Sequence, residues 1–135
     1  MLSARNLDKV YGAGVRVQAL RNASLEVTRG DFVAIMGPSG SGKSTLLNIL
    51  SGLEPPSAGQ LLIDAADVGG MSDSARTLFR RRKIGFIFQQ FNLLSIYSAA
   101  ENVALPLRLE RVPVATAAER AAQMLDLVGL AHRRD

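Results

Sequence analysis

The sequence predicts an α/β domain: a strand-rich front half built on a sheet core, followed by a helical region. Three observations carry this. Residues 32–36, Phe-Val-Ala-Ile-Met, form a short continuous apolar run bounded by turn signals, the pattern of a strand buried on both faces. A glycine-rich stretch follows, after which Leu46, Leu47, Ile49 and Leu50 recur at the spacings of a buried helix. Residues 114–128 hold the best amphipathic pattern, with Ala121, Leu125 and Val128 at i, i+4 and i+7.

In chain order, residues 2–11 mix apolar and polar positions as a strand does, and Gly12 and Gly14 mark a turn. Residues 17–27 read as a second strand, broken near Asn22. Arg29-Gly30-Asp31 is a tight turn before the apolar run. Residues 37–42 are loop and residues 43–50 helix, with Gly52 just past its end. Residues 54–59 read as loop and 60–63 as a short strand. Residues 73–82 suit a helix capped by Ser72 or Asp73. Residues 84–88 are a second apolar strand, and residues 89–94 a loop. Residues 101–109 are helical but interrupted by Pro106. In the last helix Thr116 and Glu119 have capping-box spacing, and Gly129 stands where a C-terminal cap belongs.

The chain has 135 residues, enough for one domain. A chain of this length buries roughly 70% of its unfolded surface. Its 47% of hydrophobic residues suits a globular protein. No apolar run approaches the length that crosses a bilayer. The first ten residues are charged and lack an apolar core, so a secretory signal is not expected. There is no cysteine, which excludes disulfides and thiolate metal sites and fits a reducing compartment. The formal charge is +4, and Arg76, Arg80, Arg81, Arg82 and Lys83 cluster; such a patch can meet nucleic acid, anionic lipid or bound phosphate, and its plainer reading is a solvated helix face. The few aromatic residues do not interleave with these cations, which argues against nucleic-acid stacking. His132, the one histidine, reads as a surface or cap residue, and Asp64 and Asp67 read as turn residues rather than a metal pair.

Gly37-Pro38-Ser39-Gly40-Ser41-Gly42-Lys43-Ser44 matches G-x-x-x-x-G-K-[ST] at every fixed position. Gly37, Gly40 and Gly42 free the backbone to turn its N–H groups toward one centre, as an anion requires. The helix that follows adds its own unpaired N–H groups and dipole. Lys43 brings a compact positive charge to the β- and γ-phosphates. The Ser44 hydroxyl is a hard oxygen ligand suited to Mg²⁺, and Thr45 can reach the α-phosphate. Ser39 and Ser41 complete the loop. The residues therefore point to ATP and Mg²⁺ as ligands.

Residues 37–53, GPSGSGKSTLLNILSGL, resemble the Walker A segment of ABC ATPases. Residues 84–94, IGFIFQQFNLL, resemble the Q-loop of that family, and residues 101–107, ENVALPL, resemble the segment after it. The wording is most similar to the branch that works in lipoprotein release and macrolide export. The resemblance implies a P-loop NTPase core with an N-terminal antiparallel β-subdomain and the start of a helical subdomain. On that reading residues 1–90 hold the β-subdomain and core, and residues 91–135 the Q-loop region and the helical start. It implies that Tyr11 stacks on adenine, the alternative being an ordinary strand-end tyrosine. It implies that Gln89, rather than its neighbour Gln90, reaches Mg²⁺ and the attacking water. It implies a membrane permease docking between Phe91 and Glu101, although Phe91, Leu93, Leu94 and Ile96 suit plain core equally. It further implies a homodimer in the full-length protein, no nucleic-acid partner, and a cytoplasmic location on the inner face of the membrane. Ala65 and Ser95 depart from the family's usual Gly and Pro, which puts the local turn and loop shapes in question.

The family's Leu-Ser-Gly-Gly-Gln signature, its acidic strand end and its switch histidine do not occur in the sequence. The expectation is a truncated domain with an incomplete sheet, able to bind ATP but weak or inactive in hydrolysis. A P-loop kinase, a non-transport ABC protein and an inactive nucleotide-binding remnant are the alternatives. Two strand-like segments before the loop argue against the kinase.

Overall fold

A computed structural model describes residues 1–133, which divide into one unit of Met1–Gly85 and a second that begins at Phe86. The first unit is built on four antiparallel strands, β1 (Leu2–Tyr11), β2 (Val17–Val27), β3 (Ala58–Ile63) and β4 (Ala66–Asp67), in the order β2-β1-β3-β4. Two helices accompany them, α1 (Lys43–Leu50) and α2 (Asp73–Lys83). The core joins Ala4, Leu7, Leu20 and Leu61 of the sheet to Ile49 and Leu50 of α1 and to Val68. Burying each of these leucines, or Ile49, stabilises by about 1.5–3 kcal/mol.

The break expected near Asn22 is absent: β2 runs unbroken from Val17 to Val27, and only the ladder is irregular there. Asn6 and Asn22 both adopt positive φ, their side chains bond to each other, and the β1–β2 register shifts there. Strand β3 starts at Ala58, two residues before the expected position, because Ala58 pairs with Asp8. Gly59 makes this possible: a Cβ there would lie 2.3 Å from the Asn6 carbonyl oxygen. Strand β4 is too short for a pattern of its own and is set by a two-residue hairpin turn at Asp64 and Ala65.

Helix α1 ends as expected at a left-handed glycine. The Gly52 amide donates to Ile49 and the Leu53 amide to Asn48, which closes the orphan carbonyls of the last turn. Ser72 caps α2 by accepting the Ala75 amide. The basic cluster on α2 is not a uniformly solvated face. Arg76 is buried, donating to the Met71 carbonyl and pairing with Asp73, and Arg80 donates to the Gly52 carbonyl at 2.8 Å. Their aliphatic stems pack where Gly52 leaves room, which is why these two arginines turn inward.

Residues 32–36 and 84–88 are not strands. A strand needs a ladder partner as well as an apolar run, and no described residue pairs with either segment. Ile35 alone of the first run packs against the core, while Phe32 is 97% exposed. In the second run the Phe86 and Phe88 rings stack at 5.4 Å, and Ile87 is fully exposed.

The second unit holds α3 (Ala99–Leu109), α4 (Val114–Leu127) and a 3-10 turn (Ala131–Arg133) on which His132 is exposed. Ala104 of α3 meets Ala117 and Ala121 of α4, with Leu107 and Val112 alongside. Small side chains let the two helices approach closely. Pro106 lies inside α3 without interrupting it. The capping box belongs to α3, where Ser98 and Glu101 exchange bonds, and not to Thr116 and Glu119. Helix α4 begins after Pro113, so Thr116 falls inside its first turn. Its buried stripe is Ala117, Ala121 and Leu125; Val128 is the exposed C-cap, before the left-handed Gly129.

Candidate functional site

The phosphate-loop residues gather at the N-terminus of α1 in the first unit. Asp31 sets the approach: its carboxylate accepts the Thr28 amide and hydroxyl, each at 2.7 Å, and these bonds hold it below the usual carboxylate range. Gly37, Gly40 and Gly42 all take positive φ, at 152°, 78° and 88°. Gly42 is the N-cap of α1, and its carbonyl accepts the Leu46 amide at 2.8 Å. The amides of Lys43, Ser44 and Thr45 therefore precede the first intrahelical bond and point out of the helix end.

Gly42 answers a second demand. The β1–β2 register passes over Ala19, with Lys9 opposite Leu20 and Val10 opposite Gln18. This bulge brings the Ala19 carbonyl to within 2.5 Å of where a Cβ on Gly42 would stand. Strand β2 thus forms one wall of an open cavity of about 330 Å³. Val17, Gln18 and Ala19 line that wall; Ser39, Gly40, Gly42, Lys43, Ser44 and Thr45 line the other. No sequence motif marks the β2 wall, because its contribution arises from strand register.

Lys43 donates to the Gly37 and Pro38 carbonyls at 2.8 and 2.7 Å. These bonds fold the ammonium over the loop and leave its third donor available. The Ser44 side chain is exposed beside it. Gly37 leaves room for the Ser41 side chain: a Cβ on Gly37 would meet the Ser41 hydroxyl at 2.9 Å. Helix-start amides without intrahelical partners, one cation and an exposed hydroxyl suit the anionic oxygens of a Mg²⁺-bound polyphosphate, so the residues present fit that ligand.

Tyr11 stands at the end of β1, apart from the cavity lining. Its phenol donates to Glu54 at 2.7 Å, and Lys9 lies 5.1 Å from its ring centroid. The Glu54 carboxylate beside it pushes the phenol's pKa up, and the Thr45 side chain acts on the same phenol in the opposite sense. Gln89 and Gln90 lie in the second unit, in the exposed segment after the stacked phenylalanines. Phe91, Leu93 and Ile96 are exposed in that unit. Asp64 pairs with the N-terminus and Asp67 accepts the Gly70 amide, so both serve turns.

A nucleotide-sized cradle at a strand-flanked helix start, beside an antiparallel sheet, defines an ATP-binding cassette. The family model described as ABC transporter matches residues 20–135, and the chain belongs to that family. An ABC transporter ATP-binding protein of Thermotoga maritima is 49% identical over 126 residues, covering 93% of this chain and 54% of that protein. The lipoprotein-releasing system ATP-binding protein LolD 1 of Rhodopseudomonas palustris is 46% identical, covering 100% and 61%. Among solved structures, the dimeric ATP-binding cassette MJ0796 bound to ADP and Pi aligns with a TM-score of 0.88 at 41% identity, covering 99% of this chain and 60% of that one. The chain thus spans about 60% of the length of such relatives.

Proposed function

We propose that the chain binds Mg·ATP as part of the energy-coupling subunit of a transporter that exports or releases a substrate through a membrane permease. The phosphate cradle carries this reading. Gly37, Ser39, Gly40, Ser41, Gly42, Lys43, Ser44 and Thr45 hold the phosphates, with Ser44 and Gln89 toward Mg²⁺. Mg²⁺, when bound there, would supply charge neutralisation to the phosphates. Lys43 adds a fixed cation, Gln89 orients water, and Tyr11 supports adenine. The β-subdomain and core occupy residues 1–90, and the Q-loop and helical start residues 91–135.

The names of the relatives support a lipoprotein-release or related export system as the setting. The permease docks between Phe91 and Glu101, the full-length protein acts as a homodimer, and the subunit sits on the cytoplasmic face of the membrane through its partner. No helix among the described residues is long and apolar enough to cross a membrane, which agrees with attachment by docking.

Calorimetric titration with Mg·ATP tests the site. Lys43→Met is expected to weaken binding by about tenfold or more, because a charge-assisted contact is lost. Equal affinity of both proteins would overturn the assignment. Hydrolysis by this chain alone is expected to be weak, since turnover needs a group that polarises the attacking water as well as a cradle. Robust Lys43-dependent phosphate release would contradict that expectation.

A further inference from the structure

Apart from Thr45, whose side chain acts on the phenol, the Tyr11 ring is held by residues outside the phosphate loop. Glu54 accepts the phenol proton through Oε2 at 2.7 Å and the Asn48 side-chain amide through Oε1 at 3.0 Å. Lys9 lies two residues before Tyr11 on β1. Its ammonium pairs with Glu54 at 3.3 Å, donates to the Pro55 carbonyl at 2.8 Å and stands 5.1 Å from the Tyr11 centroid. The Lys9 side chain is only 12% exposed, whereas Tyr11 remains 38% exposed.

We propose that Lys9 and Glu54 are positioning residues that clamp the Tyr11 ring as a fixed platform for the base of a bound adenine nucleotide. The proposal rests on the nucleotide-binding reading above and deepens it. Holding an ammonium mostly out of water is costly, and an apolar side chain would fill the same space without that cost. What the cation adds is attraction for a ring face, which together with the phenol bond fixes the tyrosine's orientation. Asn48 then ties the clamp to α1, the helix whose first turn faces the phosphates. One rigid element thereby sets the span between base and phosphate. A ring already oriented pays less entropy when a base stacks on it.

The test compares Mg·ATP with Mg·tripolyphosphate, which has the phosphates but no base, by calorimetry on the full 135-residue chain. Lys9→Met and Glu54→Gln are each expected to weaken ATP binding roughly fivefold while leaving tripolyphosphate within about twofold. Lys9→Arg keeps a cation over the ring and should retain ATP affinity. Neither loss should appear in a Tyr11→Ala background. Unchanged ATP affinity in Lys9→Met and Glu54→Gln, or equal loss of both ligands, overturns the clamp alone. Tripolyphosphate binding with ATP affinity indifferent to Tyr11→Ala overturns the platform. Failure of the unaltered, folded chain to bind either ligand overturns the phosphate-site reading and the clamp with it.

Discussion

At Ala65 a single residue carries strain that the sequence announced. Asp64 and Ala65 take φ of 47° and 65° in the β3–β4 hairpin, a region where a Cβ is unfavourable. Asp64 is offset by its bond to the N-terminus; Ala65 has no such compensation. Ala65→Gly should therefore raise stability by about 1 kcal/mol, read as a higher melting temperature. The opposite holds at Gly42, where both φ and the Ala19 carbonyl forbid a side chain. Gly42→Ala should cost at least about 2 kcal/mol, seen as a lowered denaturant midpoint. The Tyr11–Glu54 bond predicts a stability window in pH. The Tyr11 bond and the Asn48 bond lower Glu54's pKa against desolvation, so that contribution is present above the ordinary carboxylate value and lost as pH falls below about 4. Tyr11's pKa is raised, so its contribution is present below the ordinary phenol value and lost as pH rises beyond about 10. Glu54→Gln should flatten both limbs of a melting-temperature profile. Lys43, Ser44 and the three glycines were legible because their chemistry demands fixed spacing. Lys9, Glu54 and Ala19 were not, because strand register and a distant loop bring them to the site.

At the scale of elements, local signals worked wherever the chain bonds to itself. Helix α1 and its glycine cap follow from spacing and one left-handed residue, and the Ser72 cap of α2 likewise. Strands depend on partners elsewhere, and there the pattern misled: the apolar runs at 32–36 and 84–88 have no ladder. The second unit shows a device that no periodicity reveals. The Asn102 side chain accepts the Leu94 amide at 2.9 Å and donates toward the carbonyls of Leu94, Tyr97 and Ser98. One side chain thus shapes the loop before α3, although Ser95 replaces the usual proline there. Asn102→Ala should speed hydrogen exchange at the Leu94 amide, and Asn102→Asp should do so too, because its second carboxylate oxygen would face the carbonyls to which the Asn102 amide now donates. Loss of this bond is worth about 1–3 kcal/mol locally. Unaltered exchange in Asn102→Ala would remove the anchor from the account.

For the whole molecule, apolar exposure is the dominant physical fact. Phe32, Met36, Ile87, Phe91 and Ile96 are each more than 80% exposed. Apolar surface of this kind favours association, so sedimentation should show concentration-dependent self-association; a strict monomer at all concentrations would count against that. The proposed phosphate site lies in the first unit, where the cradle adjoins β2 and Asn48 of α1 bonds to Glu54 beside Tyr11. The most direct test is a ¹H–¹⁵N spectrum of the folded chain titrated with Mg·ATP. The account predicts that the amides of Gly40, Gly42, Lys43, Ser44 and Thr45 shift first and furthest. If those resonances stay still at saturating nucleotide, the amides do not hold phosphate and the account is wrong.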